Sequence, residues 1–307
     1  MELLMHLAQQ TANGVILGSV YALLALGYSM VYGILRLLNF AHGDVFMVCS
    51  FVGWAVLGAL TGSSPALSPW LVLAVAVLVA MGAGSLLGMA IERIAYRPLR
   101  GAARLAPLIS AVGVSIFLQN LAMLLTGGRA KVYPVDKFVA LNARVNLGAV
   151  CLPATGLIIL GVSGALVAAL TYVVRNTSFG RAMRASAEDI EAAGFVGVAV
   201  DRVIALTFAL GSALAGAGGV LIGLYFTQVD FSVGFAAGMK AFTAAVLGGI
   251  GDFRGAVLGA LVLGLTESLA VALLAPVYKD AVAFLTLIMV LLLKPNGILG
   301  QGTADRV

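Results

Sequence analysis

Long uncharged stretches alternate with short polar segments along nearly the whole chain. A transmembrane helix needs about 20 mostly apolar residues, because its length must match the hydrocarbon core of the bilayer. Several stretches reach that length without a charge, and each predicts one spanning helix: 7–35, 105–126, 155–174 and 203–227. The polar segments between them must then lie in water at one membrane face or the other.

Two more spans come from the uncharged stretch at 45–91, which is too long for one helix. TGSSPALSP at 61–69 interrupts it with Gly, Ser and Pro, which mark a turn. The stretch therefore predicts helices at 45–61 and 69–92. The mixed polar segment 127–153, which follows the next span, is predicted to be a loop.

The C-terminal third has a less regular pattern. The segment 235–250 is short, carries Lys240 and ends in GGIGD, so it predicts either a short crossing helix or a re-entrant one. Two further spans follow at 255–275 and 281–293, separated by APVYKD. The fold class is therefore an all-α polytopic membrane bundle, with eight clear spans and a short ninth or re-entrant helix.

Composition excludes a soluble protein. The chain is 62% hydrophobic and 10% charged, with a mean hydropathy of +1.09, whereas soluble domains carry about 25% charged residues. The net charge of +5 could suggest nucleic acid, but the basic residues cluster between apolar spans and form no stripe with interleaved aromatics. The lipid bilayer is the predicted partner, and nucleic acid is not.

The basic residues also predict an orientation. The loop 92–104 carries four arginines, and the segment 175–202, here called the charged segment, carries four more. Two spans separate these segments, so both lie on one side, which the positive-inside rule makes cytoplasmic. The N-terminus is then outside, and the C-terminus is inside if 235–250 crosses. Nine crossings fit this arrangement best.

Small residues recur at helical spacing on several spans, for example Gly14 and Gly18, or Gly255 and Gly259. This pattern predicts faces on which helices approach closely. With 38 glycines in the chain, some of these pairs are also expected by chance. A metal site is not predicted, because the only two histidines, His6 and His42, are far apart in the sequence.

The charged segment holds eight of the chain's 31 charged residues. A helix over 180–197, capped by Ser178 and ended by Gly197, would be amphipathic. Arg184 and Glu188 would form a pair of opposite sign one turn apart. Two faces are predicted, a charged face with Arg181, Arg184, Glu188 and Glu191, and a second face with Met183, Ala187, Ile190 and Gly194. Such a helix is either a docking surface or a solvated loop without a partner.

The sequence of the charged segment supports docking. GRAMRASAED at 180–189, followed by Glu-Ala-Ala at 191–193, resembles the cytoplasmic coupling loop of ABC-importer permeases. The whole chain is similar to the branched-chain amino acid permeases, and in order and spacing to the shorter permease of the high-affinity importer. The segments that carry this resemblance are 13–44, 91–100, 108–120, 201–211, 238–251 and 294–300.

The resemblance implies a single permease domain over 1–307 in the bacterial inner membrane, with a coupling helix at 178–199. It implies half of a translocation pathway, together with a second permease, two ATP-binding subunits and a periplasmic substrate-binding protein. The substrates would be leucine, isoleucine and valine, although related permeases serve urea, short amides or other amino acids. Coupling would rest on Arg181, Arg184, Glu188, Asp189, Glu191 and Gly197.

The spans also contain polar residues that mark a possible pathway or interface. Asn39, His42 and Asp44 either line a pathway or form an ordinary helix cap at the membrane surface. Glu267 lies inside an apolar span, where a charge costs at least about 2.5–3.5 kcal/mol. It is either a pathway or subunit-interface residue or a carboxylate near the helix end. Lys240 would pair with an acidic residue across an interface.

Catalytic chemistry is not predicted. The chain contains no Gly-x-x-x-x-Gly-Lys-Ser/Thr phosphate loop, so ATP would be bound and hydrolysed by partner subunits, and no cofactor is expected. A stand-alone secondary transporter is the alternative from a different class, but it should carry paired intramembrane acidic residues for ion coupling. An intramembrane enzyme would need a catalytic set that the sequence lacks.

Overall fold

The computed structural model describes residues 2–63, 68–103, 105–135, 143–147 and 150–300. Its helices are α1 (Glu2–Leu35), α2 (His42–Ser63), α3 (Pro69–Ile91), α4 (Leu105–Thr126), α5 (Ala154–Asn176), α6 (Ser178–Glu188), α7 (Ile190–Phe195), α8 (Val200–Phe226), α9 (Val233–Gly248), α10 (Phe253–Leu273) and α11 (Lys279–Leu293). Short strands are β1 (Lys131–Val132), β2 (Arg144–Leu147), β3 (Val150–Pro153) and β4 (Gln228–Val229).

The predicted polytopic bundle is confirmed. In the described ranges, eight helices are long and apolar enough to cross a membrane, at the eight positions where the sequence predicts clear spans. The helix predicted at 105–126 has the same bounds in the structure. The remaining apolar helix, α9, has 16 residues. Its length of about 24 Å is shorter than the hydrocarbon core.

Helix α9 nevertheless connects the two ends of the bundle. It begins just after β4, which pairs with β1 at the end where α4 and α8 finish. It ends at the opposite end, where the carbonyls of Leu247 and Gly248 accept hydrogen bonds from the amides of Ile298 and Leu299. Val246 there lines the same cavity as residues of α6. The short segment therefore has the course of a crossing helix, and not of a re-entrant one.

Two helices form the centre of the bundle, and the others surround them. Most residues of α1 and α8 are buried, and α8 packs against α1, α2 and α3. The outer helices α4 and α11 expose large apolar side chains, including Leu124, Leu125, Leu292 and Leu293. In a membrane, such faces are compatible with lipid or with another apolar subunit.

The predicted close packing of small residues is confirmed between α1 and α10. A Cβ atom added to Gly264 would lie 2.5 Å from the carbonyl oxygen of Gly14, and one added to Gly14 would lie 2.9 Å from the carbonyl oxygen of Gly264. Only glycine allows two backbones this close. The seam fixes α10 antiparallel to α1, because Gly251 at the start of α10 lies near Gly33 at the end of α1.

The segment predicted as a loop at 127–153 contains more structure than its sequence pattern suggests. Strands β2 and β3 form an antiparallel hairpin. The backbone of Cys151 exchanges two hydrogen bonds with the side chain of Gln9 in α1, at 3.0 and 2.8 Å. The hairpin is therefore tied to the N-terminal end of α1. Residues 136–142 and 148–149 lie outside the described part of the chain.

Candidate functional site

The charged segment forms two helices, so the continuous helix predicted over 180–197 is wrong. The chain is extended at Asp189 (φ −154°, ψ 115°), where α6 ends. The Asp189 carboxylate then accepts hydrogen bonds from the amides of Glu191 (2.8 Å) and Ala192 (3.0 Å), and so caps α7. Aspartate favours this position because its short side chain satisfies amides that lack partners within the helix.

The two ends of the segment follow the prediction more closely. The N-cap of α6 is Thr177 and not Ser178, and the Thr177 hydroxyl accepts from the amide of Gly180. At the other end, Gly197 has a φ of +87°, which suits glycine and allows the turn out of α7. The predicted terminator is confirmed.

The predicted faces are correct for α6 and wrong for α7. Met183 is buried and Ala187 partly buried, whereas Arg181, Arg184, Glu188 and Glu191 are exposed. Ile190 and Gly194, predicted to lie on the inner face, are exposed, and Ala193 is buried in their place. The reason is the break at Asp189, which changes the direction of the second helix and rotates its inner face.

Helix α6 is anchored on the end of α5. The predicted pair between Arg184 and Glu188 is not formed, because Arg184 instead donates to the carbonyl oxygen of Val174. That carbonyl belongs to the last turn of α5, where oxygens lack partners within the helix and attract cations. Gly180 packs on the same carbonyl so closely that an added Cβ would overlap it. Helix α6 is therefore tied to the end of α5 at two points.

An apolar tip on α7 is a feature that the sequence analysis missed. Phe195 is 90% exposed and the adjoining Val196 is 79% exposed, on a segment that otherwise presents charges. Exposed apolar side chains rimmed by polar ones mark interaction sites. The signal was present as Phe-Val-Gly-Val at 195–198, but the assumption of one continuous helix concealed it.

The two basic segments lie on the same face, as the sequence predicts. Arg97 and Arg100, which follow α3, both contact Asp201 in the first turn of α8, at 2.5 and 2.7 Å. Arg100 also pairs with Glu92. The two bridges to Asp201, whose side chain is 58% exposed, contribute about 0–1 kcal/mol each. They hold the 92–103 segment next to the end of the charged segment. Arg104 lies outside the described residues.

Asn39, His42 and Asp44 lie close together in the sequence, between the end of α1 and the first turn of α2. The backbone leaves helical geometry at 36–41, and all three side chains are buried. Their burial places all three inside the protein, where irregular backbone is tolerated, and their role in a pathway stays a prediction. The Asn39 amide nitrogen and His42 Nε2 have no hydrogen-bond partner in the described part of the chain.

Asp44 receives its hydrogen bonds from α4. Its two carboxylate oxygens accept from the Ser115 hydroxyl and from Gln119 Nε2, the latter at 3.0 Å. No lysine or arginine of the described ranges forms an ion pair with Asp44. The contact is therefore a polar link between α2 and α4.

Replacement of Asp44 separates the role of its shape from that of its charge. Asp44→Ala leaves the buried Ser115 hydroxyl without its acceptor, and the partly buried Gln119 keeps only its bond of 3.3 Å to Ser115 Oγ, so we expect a loss of about 1–3 kcal/mol in the free energy of unfolding. Asp44→Asn keeps an acceptor for Gln119 and places a donor opposite the Ser115 hydroxyl, so we expect stability close to that of the wild type. Thermal unfolding in detergent compares the variants, and equal losses would contradict this assignment.

Lys240 and Glu267 form a buried ion pair inside the chain. Lys240 Nζ lies 2.6 Å from Glu267 Oε1 and 2.8 Å from Asp280 Oδ1. The Tyr21 hydroxyl donates to Glu267 Oε2 at 3.0 Å. Lys240 thus finds its acidic partners in its own chain and not across an interface, which corrects the prediction. The cluster links α1, α9, α10 and α11, and a role of Glu267 in a pathway stays a prediction.

Two cavities open beside the charged segment. The larger, of about 770 Å³, lies between α1, α6, α9, α10 and the C-terminal residues 295–300. The smaller, of about 340 Å³, lies between the end of α5 and the start of α10. Neither cavity is lined by Asn39, His42 or Asp44. Within the described ranges, no three His, Cys, Asp or Glu side chains converge as metal ligands.

The chain is similar to known transport permeases along its whole length. The high-affinity branched-chain amino acid transport system permease protein LivH of Salmonella typhimurium is 45% identical, over all of this chain and 99% of that protein. LivH of Escherichia coli K12 has the same identity and coverage. BraD of Pseudomonas aeruginosa, a permease of the same description, is 43% identical over 98% of each chain.

No solved structure gives a significant match. The family described as "Branched-chain amino acid transport system / permease component" matches residues 10–291, which include the charged segment and all but the outermost residues of the predicted spans. The spanning helices and the permease relatives agree on a multi-pass protein of the bacterial inner membrane. The chain therefore belongs to the family of branched-chain amino acid transport system permease components.

Proposed function

We propose that this chain is the permease subunit of an ATP-driven ABC importer for branched-chain amino acids. It would form half of the translocation pathway beside a second permease subunit. The observation that carries the proposal is the pair α6 and α7, a charged element at one end of the bundle with an exposed apolar tip at Phe195. The substrate class comes from the names of relatives that match along the whole chain.

The proposed coupling runs from α7 into the bundle. A partner that seats on Phe195 would move α7, which is joined to α6 through the capped break at Asp189. Helix α6 is fixed to the last turn of α5 by Arg184 and Gly180, and it also contacts α1 and α8. A push on α7 would therefore reach the central helices as a rigid displacement, because packed interfaces shift between discrete arrangements.

Energy and substrate would both come from partners. Two ATP-binding subunits would hydrolyse ATP, since the sequence lacks a phosphate loop. A periplasmic binding protein would deliver the amino acid. The alternative of a stand-alone secondary transporter receives less support, because Glu267 is already paired with Lys240, and the buried Asp44 already accepts hydrogen bonds from Ser115 and Gln119. Permeases for urea, short amides or other amino acids differ from this proposal in the substrate alone.

Uptake by membrane vesicles tests the proposal. With the purified binding protein outside and ATP inside, we expect vanadate-sensitive accumulation of leucine and valine, but not of urea. Glu188→Ala changes an exposed charge of α6, so we expect lower uptake with unchanged protein level in the membrane. Vanadate-insensitive uptake, or full uptake by Glu188→Ala without any accompanying ATPase subunit, would contradict the proposed coupling.

A further inference from the structure

The larger cavity has the size of a ligand site and an unusual position. It encloses about 770 Å³, within the range of roughly 300–1,000 Å³ that small-molecule sites occupy. Its walls come from the end of α1, the end of α5, α6, the end of α9, the start of α10 and residues 295–300. It opens at the charged-segment end of the bundle, which is the predicted cytoplasmic end.

The charges that line the cavity are balanced. Arg36 follows α1 and Arg184 lies on α6, while Glu188 also lies on α6 and Asp252 precedes α10. Two of these groups are partly engaged, since Arg184 donates one N–H to Val174 and one Asp252 oxygen accepts from the Arg254 amide. Each keeps further donors or acceptors free, because a guanidinium has five N–H groups and a carboxylate has two oxygens.

The rest of the lining is mostly apolar, with one buried hydroxyl. The Ser29 side chain is buried in the wall, and its Oγ has no hydrogen-bond partner in the described part of the chain. The oxygen itself is shielded from the cavity, so this hydroxyl offers no contact to an occupant. The apolar wall consists of Val174, Met183, Ala187, Val246, Ile250, Phe253 and Pro295.

We infer that this cavity binds a free aliphatic α-amino acid from the cytosol. The ligand's carboxylate matches the guanidinium groups of Arg36 and Arg184, which bind carboxylates through paired hydrogen bonds. Its ammonium group matches Glu188 and Asp252, and its side chain matches the apolar wall. A ligand with only a negative charge would be repelled by the two carboxylates, and a ligand with only a positive charge would be repelled by the two arginines. A zwitterion carries both charges and can pair with both kinds of group.

The position of the site gives its occupant a regulatory effect. An amino acid bound there bridges α6 to the ends of α1 and α10, and so restrains the helix through which the proposed coupling passes. The imported product would thereby slow its own import. This inference rests on the proposed function, because the ligand belongs to the same chemical class as the proposed cargo.

Uptake into proteoliposomes of the complete transporter tests the effect. With ATP inside and the binding protein and labelled leucine outside, we compare lumens that contain no amino acid with lumens loaded with unlabelled valine. We expect a slower initial rate by at least about fivefold with valine inside, the lower end of measured couplings between two sites. An equal rate with and without valine would overturn the inference.

Two variants of the lining and one control locate the effect. Arg36→Asn removes the cation and suits the left-handed backbone at φ +51°. Asp252→Asn removes the charge but keeps a side-chain cap for α10. Both should transport at the wild-type rate into empty lumens and lose the inhibition by valine. Arg254→Gln removes an exposed cation that lines the smaller cavity, and this control variant should keep the inhibition by valine. Undiminished inhibition in both lining variants would overturn the site.

A binding measurement keeps the two proposals separable. Labelled leucine is bound to the purified transporter without the binding protein, with unlabelled competitors. Valine should compete, whereas leucinol, which lacks the carboxylate, and 4-methylpentanoate, which lacks the ammonium group, should not. A failure of ATP-driven uptake would contradict the proposed function alone, since leucine binding that depends on Arg36 and Asp252 is measured without transport. Absence of saturable leucine binding would overturn the inference.

Discussion

Replacement of Lys240 with Met is expected to destabilise the protein more than any other single change in its buried ionic cluster. The Lys240 ammonium is the only cation of the described ranges that pairs with Glu267, which is 3% exposed. Without it, a carboxylate stays buried among apolar helices with the Tyr21 hydroxyl as its hydrogen-bond donor. Breaking a buried pair in this way costs about 3–5 kcal/mol.

The reverse change is expected to cost less. In Glu267→Gln, Lys240 keeps its pair with Asp280 at 2.8 Å, and the new amide oxygen still accepts from Tyr21. Asp280→Asn should cost least, about 0–1 kcal/mol, because the Asp280 side chain is 56% exposed and weakly held. The expected order of stability therefore follows the charge that each variant leaves buried without a partner.

The double variant Lys240→Met with Glu267→Gln provides the control. It removes both buried charges, so it should be more stable than Lys240→Met alone, and the two effects should not add. Apparent melting temperatures of the detergent-solubilised protein measure this order. If the double variant lost as much stability as the two single variants together, the ion pair would not act as a unit. Packing of the Lys240 side chain would then explain why a lysine occupies this position.

The spans could be predicted from the sequence because the bilayer imposes a length and a composition on each helix. The helix at 105–126 illustrates this, since its predicted and observed bounds agree. Helix α9 shows the limit of the argument. Its 16 residues are too few to cross by themselves, and only its packing between the strand end and residues 298–299 reveals its course.

The partners of polar residues could not be predicted, because they depend on which helices become neighbours. Lys240 and Glu267 are individually conspicuous in the sequence, but their contact requires α9 and α10 to pack together. Asp44 likewise gains its donors from α4, far away in the chain. The periodicity of the sequence assigns a residue to one face of its helix. Which other helix packs against that face depends on the tertiary structure.

The prediction of one continuous helix in the charged segment was wrong for a local reason. The prediction applied a constant rotation per residue across 180–197, and a single backbone feature at Asp189 invalidated that assumption. Aspartate is as good a helix cap as it is a charged surface residue, so its type alone left both roles open. Once the break is placed, Ala193 becomes the inner residue of α7 and Phe195 the outer tip.

Replacement of Phe195 with Asp is expected to separate the chain from its proposed ATP-binding partner without unfolding it. The side chain is 90% exposed, so few contacts within the chain are lost. Seated in a cleft of a partner, an aromatic side chain of this kind acts as a binding hot spot worth about 2 kcal/mol or more. Its loss corresponds to roughly 30-fold weaker binding, and a buried carboxylate in its place weakens binding further.

Two matched substitutions control for the added charge and for the lost ring. Val132→Asp introduces the same charge at a residue that is 68% exposed at the opposite end of the bundle. We expect it to leave co-purification of the ATPase subunit intact. Phe195→Leu keeps an apolar tip and should retain most of the binding. Melting temperatures near that of the wild type for all three variants would show that the comparison concerns binding and not folding.

Co-purification and uptake together decide what the tip does. Loss of both in Phe195→Asp supports docking through α7, since ATP hydrolysis then has no path into α6 and α5. Retained co-purification with lost uptake would mean that other residues supply the affinity and that Phe195 transmits the movement. Retention of both would contradict any role of the tip in coupling. The exposed charges Arg181, Glu188 and Glu191 would then be the remaining contacts for a partner.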